Sequence, residues 1–376
     1  MLLPTVIGAL LILMVLLDAF ETIVLPRRVT RRLRLSILVL RPLWRLWARP
    51  ARHWRSGDRR ETYLSFFGPF GLILLIALWA VGLMAGFALL LWGLGAQMAT
   101  TAGDVDFGTA LYGSGTTLFT LGLGDVLPHT AIGRVLVVAE AGTGFAFLAL
   151  IISYLPVLYQ AFSSREVNVS LLDARAGSPP SAGELLRRHA GKDFETTLGQ
   201  LLSEGERWAA ELMESHLSYP LLAFYRSQHE RQSWLAALTT LLDVSALVIV
   251  GIDDAPERPA RLTFAMARHA AADVSRALGT TPNYHGGHDR LPPTDLDALR
   301  AMLREAGIPL REGREADEKL AQLRHKYEPY VSALADRLLM PLPHWLPTPG
   351  ARDDWQITAW GPEPTDVARE GVASRA

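Results

Sequence analysis

The sequence predicts an all-α membrane protein in which a membrane-embedded amino-terminal half precedes a helical carboxy-terminal half. Three apolar segments, residues 2–25, 64–95 and 133–162, are each long enough to cross a bilayer, which takes about 20 residues. From residue 163 onward, apolar residues recur with a helical period between turn residues. The 376 residues are 49% hydrophobic with a mean hydropathy of +0.17, which indicates that only part of the chain lies in a membrane.

The first apolar segment is predicted to be a retained transmembrane helix. No basic residue precedes its apolar run and no small-x-small cleavage pattern ends it, so it differs from a secretory signal. Pro26, Arg27 and Arg28 follow it, as in a stop-transfer sequence. Asp18 and Glu21 lie on its inner half, and we expect them to pair with the nearby arginines at the membrane interface.

The connection at residues 26–62 is strongly basic and predicts the orientation of the chain. It contains twelve arginines, whereas only Arg134 lies between residues 95 and 162. Positively charged connections stay in the cytoplasm. We therefore expect residues 26–62 and the carboxy-terminal half to be cytoplasmic and the amino terminus to be outside.

A helical wheel of this basic connection separates two faces, which predicts an interfacial helix with Trp at headgroup level and Arg toward anionic lipid. The apolar face consists of Leu33, Ile37, Leu40, Trp44 and Trp47. The basic face consists of Arg34, Arg41, Arg45 and Arg52. A voltage sensor is the alternative, because arginines recur every three or four residues. Pro42, Pro50 and the presence of one preceding helix, rather than three, argue against it.

A short segment at residues 107–119, too short to cross a bilayer, precedes a glycine-containing stretch. That stretch reads Thr120, Leu121, Gly122, Leu123, Gly124 and Asp125. Glycine adopts the backbone angles that aim successive carbonyls at one axis, where they replace the water around a cation. Thr120 adds a hydroxyl oxygen below these carbonyls, and Asp125 adds negative charge at the outer mouth. A glycine-rich turn is the alternative, but irregular backbone at membrane depth is tolerated only where it lines a cavity or is buried.

The order of outer helix, pore helix, filter and inner helix resembles the pore module of the potassium-channel superfamily. The family's filter reads Thr-Val-Gly-Tyr-Gly-Asp, so four of the six positions from 120 to 125 are identical. Leu121 replaces the valine, and Leu123 stands where the family usually has an aromatic residue. The resemblance implies a bacterial membrane channel of four identical chains with K⁺ as the permeant ion and no cofactor. A weakly selective cation channel and a non-conducting membrane sensor or scaffold are the alternatives.

Several residues near this stretch are predicted to support it. Tyr112, Thr116 and Thr117 lie on the pore helix, and Glu140 is an acid within the inner apolar segment. We expect Glu140 to brace the filter from behind, or to bond Ser114, Thr116 or Thr117. Asp104 and Asp106 are candidate caps for the pore helix.

Gly142 and Gly144 lie within the inner apolar segment. Resemblance implies a gating hinge at this depth, with Gly144 at the family's position. Glycine is also a common close-packing residue in membrane helices. Both roles remain open for these two residues at the level of sequence.

The predicted boundaries follow from these patterns. They are a first transmembrane helix at 1–25, a basic interfacial region at 26–62, a pore domain at 63–163, an all-α cytoplasmic domain at 164–340 and a Pro-rich, disordered tail at 341–376. Residues 177–180 are predicted to link pore and cytoplasmic domain. We expect the cytoplasmic domain to regulate gating or to hold subunits together.

The cytoplasmic half predicts a series of helices without a nucleotide-binding βαβ rhythm. They span 182–189, 194–216, 228–250, 258–278, 295–306 and 316–339. Residues 234–251 are nearly apolar enough for a further membrane helix, but Asp243 in their middle favours a buried core helix.

Composition and motifs argue against an enzyme. The chain has no cysteine, which excludes disulfides and thiolate sites, and it has no serine elbow, His-Glu-x-x-His or phosphate loop. His285 and His288 flank two glycines, but no third metal ligand is implied. We expect no nucleic-acid partner.

Overall fold

The computed structural model describes residues 1–25, 35–54, 57–95, 98–100, 106–229, 231–253, 255–284 and 289–348. It confirms the predicted helical membrane architecture. The chain divides into two compact units. Unit 1 contains residues 1–162 and 216–225, and unit 2 contains residues 163–215 and the chain from 226 onward.

Unit 1 holds the apolar helices and one short β-ribbon. Its helices are α1 (Leu2–Ala19), which continues as a π-helical turn (Phe20–Val24), α2 (Leu35–His53), α3 (Asp58–Ser65), α4 (Phe67–Gly93), α5 (Phe107–Leu118) and the first part of α6 (Ala131–Ala176). Strand β1 (Met98–Thr100) precedes α5 in the sequence and strand β2 (Val126–Pro128) follows it. The two strands pair antiparallel, with Ala99 opposite Leu127. The ribbon closes the loop that carries α5 and the filter-like stretch.

The extra helix α1 packs on the outer helix α4 through small residues. A Cβ on Gly8 would lie 2.6 Å from the Gly86 carbonyl oxygen, and a Cβ on Gly86 would lie 2.6 Å from Ile12 Cγ1. Such close backbone approach is how membrane helices gain van der Waals contact without a hydrophobic driving force. Val15 of α1 and Trp79 of α4 are buried together in the core of the unit.

Asp18 makes hydrogen bonds with Ser36 and Trp79, and the arginines at positions 27–34 with which it was predicted to pair lie outside the described residues. Its carboxylate accepts from Ser36 N and Ser36 Oγ at 3.1 Å, and from Trp79 Nε1 at 2.8 Å. These bonds tie α1 to α2 and α4. A buried carboxylate needs such donors, because removing its charge from water without them costs several kcal/mol.

Unit 2 is a bundle of helices around one apolar helix. Its helices are the end of α6, α7 (Ala182–His189), α8 (Phe194–Ser218), α9 (Trp234–Gly251), α10 (Glu257–Ala277), α11 (Pro293–Glu305), α12 (Arg314–His325) and α13 (Glu328–Leu338). All residues of α9 from Trp234 to Val250 are buried. Four helices of the described chain, α9 among them, are long and apolar enough to cross a membrane. The burial of α9 inside unit 2 favours the core helix that Asp243 indicated.

Helix boundaries depart from prediction where capping residues or proline intervene. The helix expected at 228–250 begins at Trp234, because Ser233 caps it by accepting from Ala236 N. The helix expected at 316–339 is two helices, α12 and α13, with Pro329 in the first turn of the second. Proline suits a helix's first turn but breaks its interior.

The linker predicted at residues 177–180 and the tail predicted from residue 341 differ from the structure. α6 runs unbroken to Ala176, and residues 177–180 form a turn within unit 2 rather than a linker after residue 163. The ordered chain continues past residue 340, since Trp345 is 1% exposed. Its ring lies 5.7 Å from the guanidinium carbons of both Arg290 and Arg324, and burial of this ring explains the extension. Residues 349–376 of the predicted tail lie outside the described residues.

Candidate functional site

The helix α5, which leads into the filter-like stretch, is capped at its start by Asp106. The Asp106 carboxylate accepts from Thr109 N at 2.7 Å and Thr109 Oγ1 at 2.8 Å. These hydrogen bonds hold the pKa of Asp106 below its usual value. The cap is as predicted, whereas Asp104 lies outside the described residues. The Asp106 cap determines the residue at which α5 begins, and it therefore helps to determine the position of the loop that follows α5.

The loop after α5 has left-handed backbone at every second residue. Thr120 and Gly122 have φ of 58°, and Gly124 has φ of 77°. Regular alternation of backbone handedness turns successive peptide units to the same side, which is how concave sets of backbone dipoles form. A Cβ on Gly122 or Gly124 would meet nothing within 4 Å in this chain. The backbone angle, rather than space, therefore makes these positions glycine.

The end of α5 supports the loop through backbone carbonyls. The Thr116 carbonyl oxygen accepts from Leu121 N at 2.8 Å and Gly122 N at 3.3 Å, and the Thr117 carbonyl accepts from Thr120 N at 3.0 Å. The Thr116 hydroxyl instead donates to the Gly113 carbonyl within α5, at 2.9 Å. Thr116 and Thr117, the predicted braces, thus lie beside the loop but bond to it through their backbone carbonyls. The identity of their side chains could not predict these backbone contacts.

Tyr112 reaches the outer end of the same loop with its side chain. Its hydroxyl donates to Asp125 Oδ2 at 2.8 Å. The side chains of Leu121 and Leu123 are 62% and 63% exposed in the single chain. The loop is therefore held on the α5 side, and its leucines face away from the protein's own core.

Glu140, the predicted brace, joins three helices of unit 1. Its carboxyl is fully buried and hydrogen-bonds Ser114 Oγ of α5. Ser114 Oγ also lies 2.8 Å from the Met84 carbonyl oxygen of α4. A hydroxyl has one hydrogen, so both contacts are satisfied together only when the Glu140 carboxyl supplies the second one. Among the described residues, Glu140 Oε2 has no hydrogen-bond partner.

Gly142 and Gly144 lie in an unbroken part of α6 but have different surroundings. A Cβ on Gly144 would lie 2.0 Å from the Leu118 carbonyl oxygen, whereas one on Gly142 would meet nothing within 4 Å. α6 therefore crosses the end of α5 in backbone contact at Gly144. Packing accounts for Gly144, and the hinge remains a prediction for both.

Helix α2 exposes the described arginines of the predicted basic face and buries a tryptophan of the predicted apolar face. Arg41, Arg45 and Arg52 are exposed, whereas Arg34 lies outside the described residues. Trp44 is 2% exposed, and its ring lies 4.7 Å from that of Phe67 in α4. The prediction that Trp44 lies among lipid headgroups is wrong, because residues distant in the sequence, such as Phe67, cover its ring.

Comparisons with known proteins agree with this geometry. Residues 66–160, from the start of α4 to the membrane part of α6, match a family model described as "Ion channel". The chain is 26% identical over 261 residues to the "Uncharacterized membrane protein YdjJ" of Bacillus subtilis (strain 168), which covers 68% of this chain and 72% of that protein. No solved structure matches this chain. The resemblance seen in the sequence is thereby confirmed for this module, and the chain is a membrane protein.

Proposed function

We propose that the ion-channel module at residues 66–160 conducts K⁺ passively across a bacterial cell membrane as a ring of four identical chains. The observation that carries the proposal is the loop from Thr120 to Gly124. Its positive φ angles alternate, and its amides are tied to the Thr116 carbonyl. A rigid row of backbone carbonyls replaces the hydration shell of a cation.

A ring of copies accounts for surfaces that one chain leaves open. Each chain supplies one filter loop, and its Leu121 and Leu123 are exposed. One side of α6 also carries exposed apolar side chains. These are Val135, Val138, Phe145, Leu148 and Ile152. Closed cyclic symmetry would bury such faces against neighbouring copies around a central axis.

Leu123 motivates a second candidate, a cation channel of weaker selectivity. The aromatic ring that the family usually has at this position is absent. The Tyr112 to Asp125 hydrogen bond supports the outer end of the loop from α5 instead. We favour K⁺ selectivity because this bond and the two amides held by Thr116 restrain both ends of the loop.

The orientation that we propose places the filter mouth outside and unit 2 in the cytoplasm. The arginine-rich connection supports it, and the exposed Arg41, Arg45 and Arg52 of α2 are suited to anionic lipid headgroups at the inner surface. Arg34 extends the same predicted face.

K⁺ is the permeant ion, and neither a cofactor nor a nucleic acid nor an enzymatic reaction forms part of the proposal. Unit 2 regulates opening.

Ion flux from liposomes tests the proposal. Full-length protein is expected to release K⁺ much faster than Na⁺, and Gly122→Ala is expected to abolish the flux, because alanine resists the positive φ. Gly199→Ala in α8 is the matched control, since its Cβ would make an ordinary 3.4 Å contact with Pro256. Equal K⁺ and Na⁺ flux would favour the weakly selective channel. Assembled wild-type protein without flux would favour a non-conducting scaffold.

A further inference from the structure

The carboxy-terminal half of the chain returns to unit 1 over one stretch, His216–Tyr225, which we call the returning segment. It comprises the last residues of α8 and a 3₁₀ turn, Pro220–Phe224. Ser215 before it and Arg226 after it belong to unit 2. The Arg226 guanidinium donates to the carbonyls of Leu338 and Leu339 in that unit. The chain therefore continues into unit 2 at both ends of the returning segment, and Arg226 anchors the second end there.

The returning segment packs on the later membrane part of α6. The ring of Tyr219 lies edge-on to Tyr154, with 5.6 Å between centroids, and the ring of Tyr225 lies 5.8 Å from Phe162. Leu222 is fully buried in the same cluster. Edge-to-face aromatic pairs have a preferred geometry, so this contact restrains the position of α6 in addition to burying its surface.

The same segment is fitted against α2 and α4. The ring of Phe224 lies 4.9 Å from Trp44 and 5.2 Å from Phe67. Gly68 makes room for Tyr225, because a Cβ there would lie 2.7 Å from Tyr225 Cδ2. The segment is thus wedged among three helices of unit 1, and a shift of it must repack all three contacts.

We propose that the returning segment positions the inner helix α6 and so sets the open probability of the channel. This inference rests on the proposed function. Tightly packed aromatic contacts favour discrete arrangements over continuous deformation, so a movement of either end changes which arrangement of α6 is favoured. Tyr219 and Tyr225 are the positioning residues, and they act through Tyr154 and Phe162.

A second physical connection runs from α6 itself into unit 2, since this helix is continuous to Ala176. Substitutions in the returning segment leave that connection intact. They therefore isolate the contribution of the segment, provided that the number of channels and their opening are measured separately.

Single-channel recording of full-length protein provides that separation. Tyr219→Ala removes the edge contact on Tyr154, and Gly68→Ala displaces the Tyr225 ring. Each is expected to change the ratio of open to closed time by about 2- to 10-fold, the range of one aromatic pair, with unitary conductance and K⁺/Na⁺ selectivity unchanged. Tyr219→Phe keeps the ring and is expected to behave as wild type. Tyr284→Ala, at an exposed tyrosine of unit 2, and Gly199→Ala are the matched controls.

A double substitution tests whether Tyr219 acts through Tyr154. If it does, Tyr154→Ala combined with Tyr219→Ala changes the open-to-closed ratio by less than the product of the two single effects. Unchanged open probability in Tyr219→Ala and Gly68→Ala would overturn the inference, as would fewer channels with wild-type opening. A wild-type protein without K⁺ flux is a different result, because it overturns the proposed function itself.

Discussion

Thr120 adopts a left-handed backbone conformation although it carries a branched side chain. Such a residue is uncommon outside glycine and costs about 1–3 kcal/mol, so the surrounding structure must enforce it. The Thr117 carbonyl, which accepts from Thr120 N, and the Thr116 carbonyl on the next two amides supply that restraint. At the residue scale, the end of α5 stabilises a strained loop, as expected of a functional site.

Tyr112→Phe tests the support of the loop's outer end. The change removes the hydroxyl that donates to Asp125 while keeping the ring. We expect the K⁺/Na⁺ permeability ratio to fall several-fold, because Asp125 and the adjacent Gly124 lose a restraint. Reversal potentials under bi-ionic conditions measure the ratio. Tyr284→Phe, at an exposed tyrosine of unit 2, is the control, and an unchanged ratio in Tyr112→Phe would argue against the support.

Glu140→Gln and Glu140→Ala together test how the buried acid links α4, α5 and α6. The amide of glutamine supplies a hydrogen to Ser114 Oγ, so we expect near wild-type K⁺ flux. Alanine leaves Ser114 with one partner and a cavity, which is expected to cost about 2–4 kcal/mol and much of the assembled channel. K⁺ flux and the yield of assembled protein measure both effects. Loss of flux in the glutamine variant would show that the ionised carboxylate is required.

At the element scale, α6 is one helix from Ala131 to Ala176 that serves several contacts along its length. It meets α5 at Gly144, then the returning segment at Tyr154 and Phe162, and ends within unit 2. After position 162 the helix continues through polar residues, because neither proline nor glycine occurs between residues 163 and 176. One continuous helix therefore contacts both α5 and the returning segment.

Gly144→Ala and Gly142→Ala are a matched pair for this helix. The methyl group at 144 would clash with the Leu118 carbonyl, so we expect α6 to move off α5, with assembly and flux strongly reduced. The methyl group at 142 has open space in the chain, so assembly should be retained. Size-exclusion yield and liposome flux provide the comparison. Equal loss of assembly in the two variants would contradict the packing role of Gly144.

At the scale of the whole molecule, two units share one chain that crosses between them repeatedly. Unit 2 has its own core, in which Asp243 of α9 accepts from Arg290 at 2.5 Å and from the Tyr327 hydroxyl. Trp345 closes the same region beside Arg290. Because α9 lies inside this core, loss of the Asp243 contacts should affect the unit as a whole.

Asp243→Ala tests the stability of unit 2. It leaves the Arg290 guanidinium buried with fewer acceptors, and removal of one partner of a buried pair costs about 3–5 kcal/mol. We expect unit 2 to unfold at markedly lower temperature, with faster hydrogen exchange along α9. Glu257→Ala breaks an exposed pair with Arg261 and is expected to leave the stability of unit 2 nearly unchanged, because solvent screens exposed ion pairs. Similar stability of the two variants would contradict a structural role for Asp243.

Local patterns were sufficient to predict the module itself. Apolar length predicted the membrane helices, and the spacing of Gly122 and Gly124 predicted the left-handed loop, because both depend on neighbouring residues alone. The tertiary structure decided the partners of Asp18, the burial of Trp44 and Trp345, and the joining of Ser114 to Glu140. It also decided that residues 216–225 belong to unit 1. These features bring together side chains far apart in the sequence, so the packing of whole helices determines them and no local pattern encodes them.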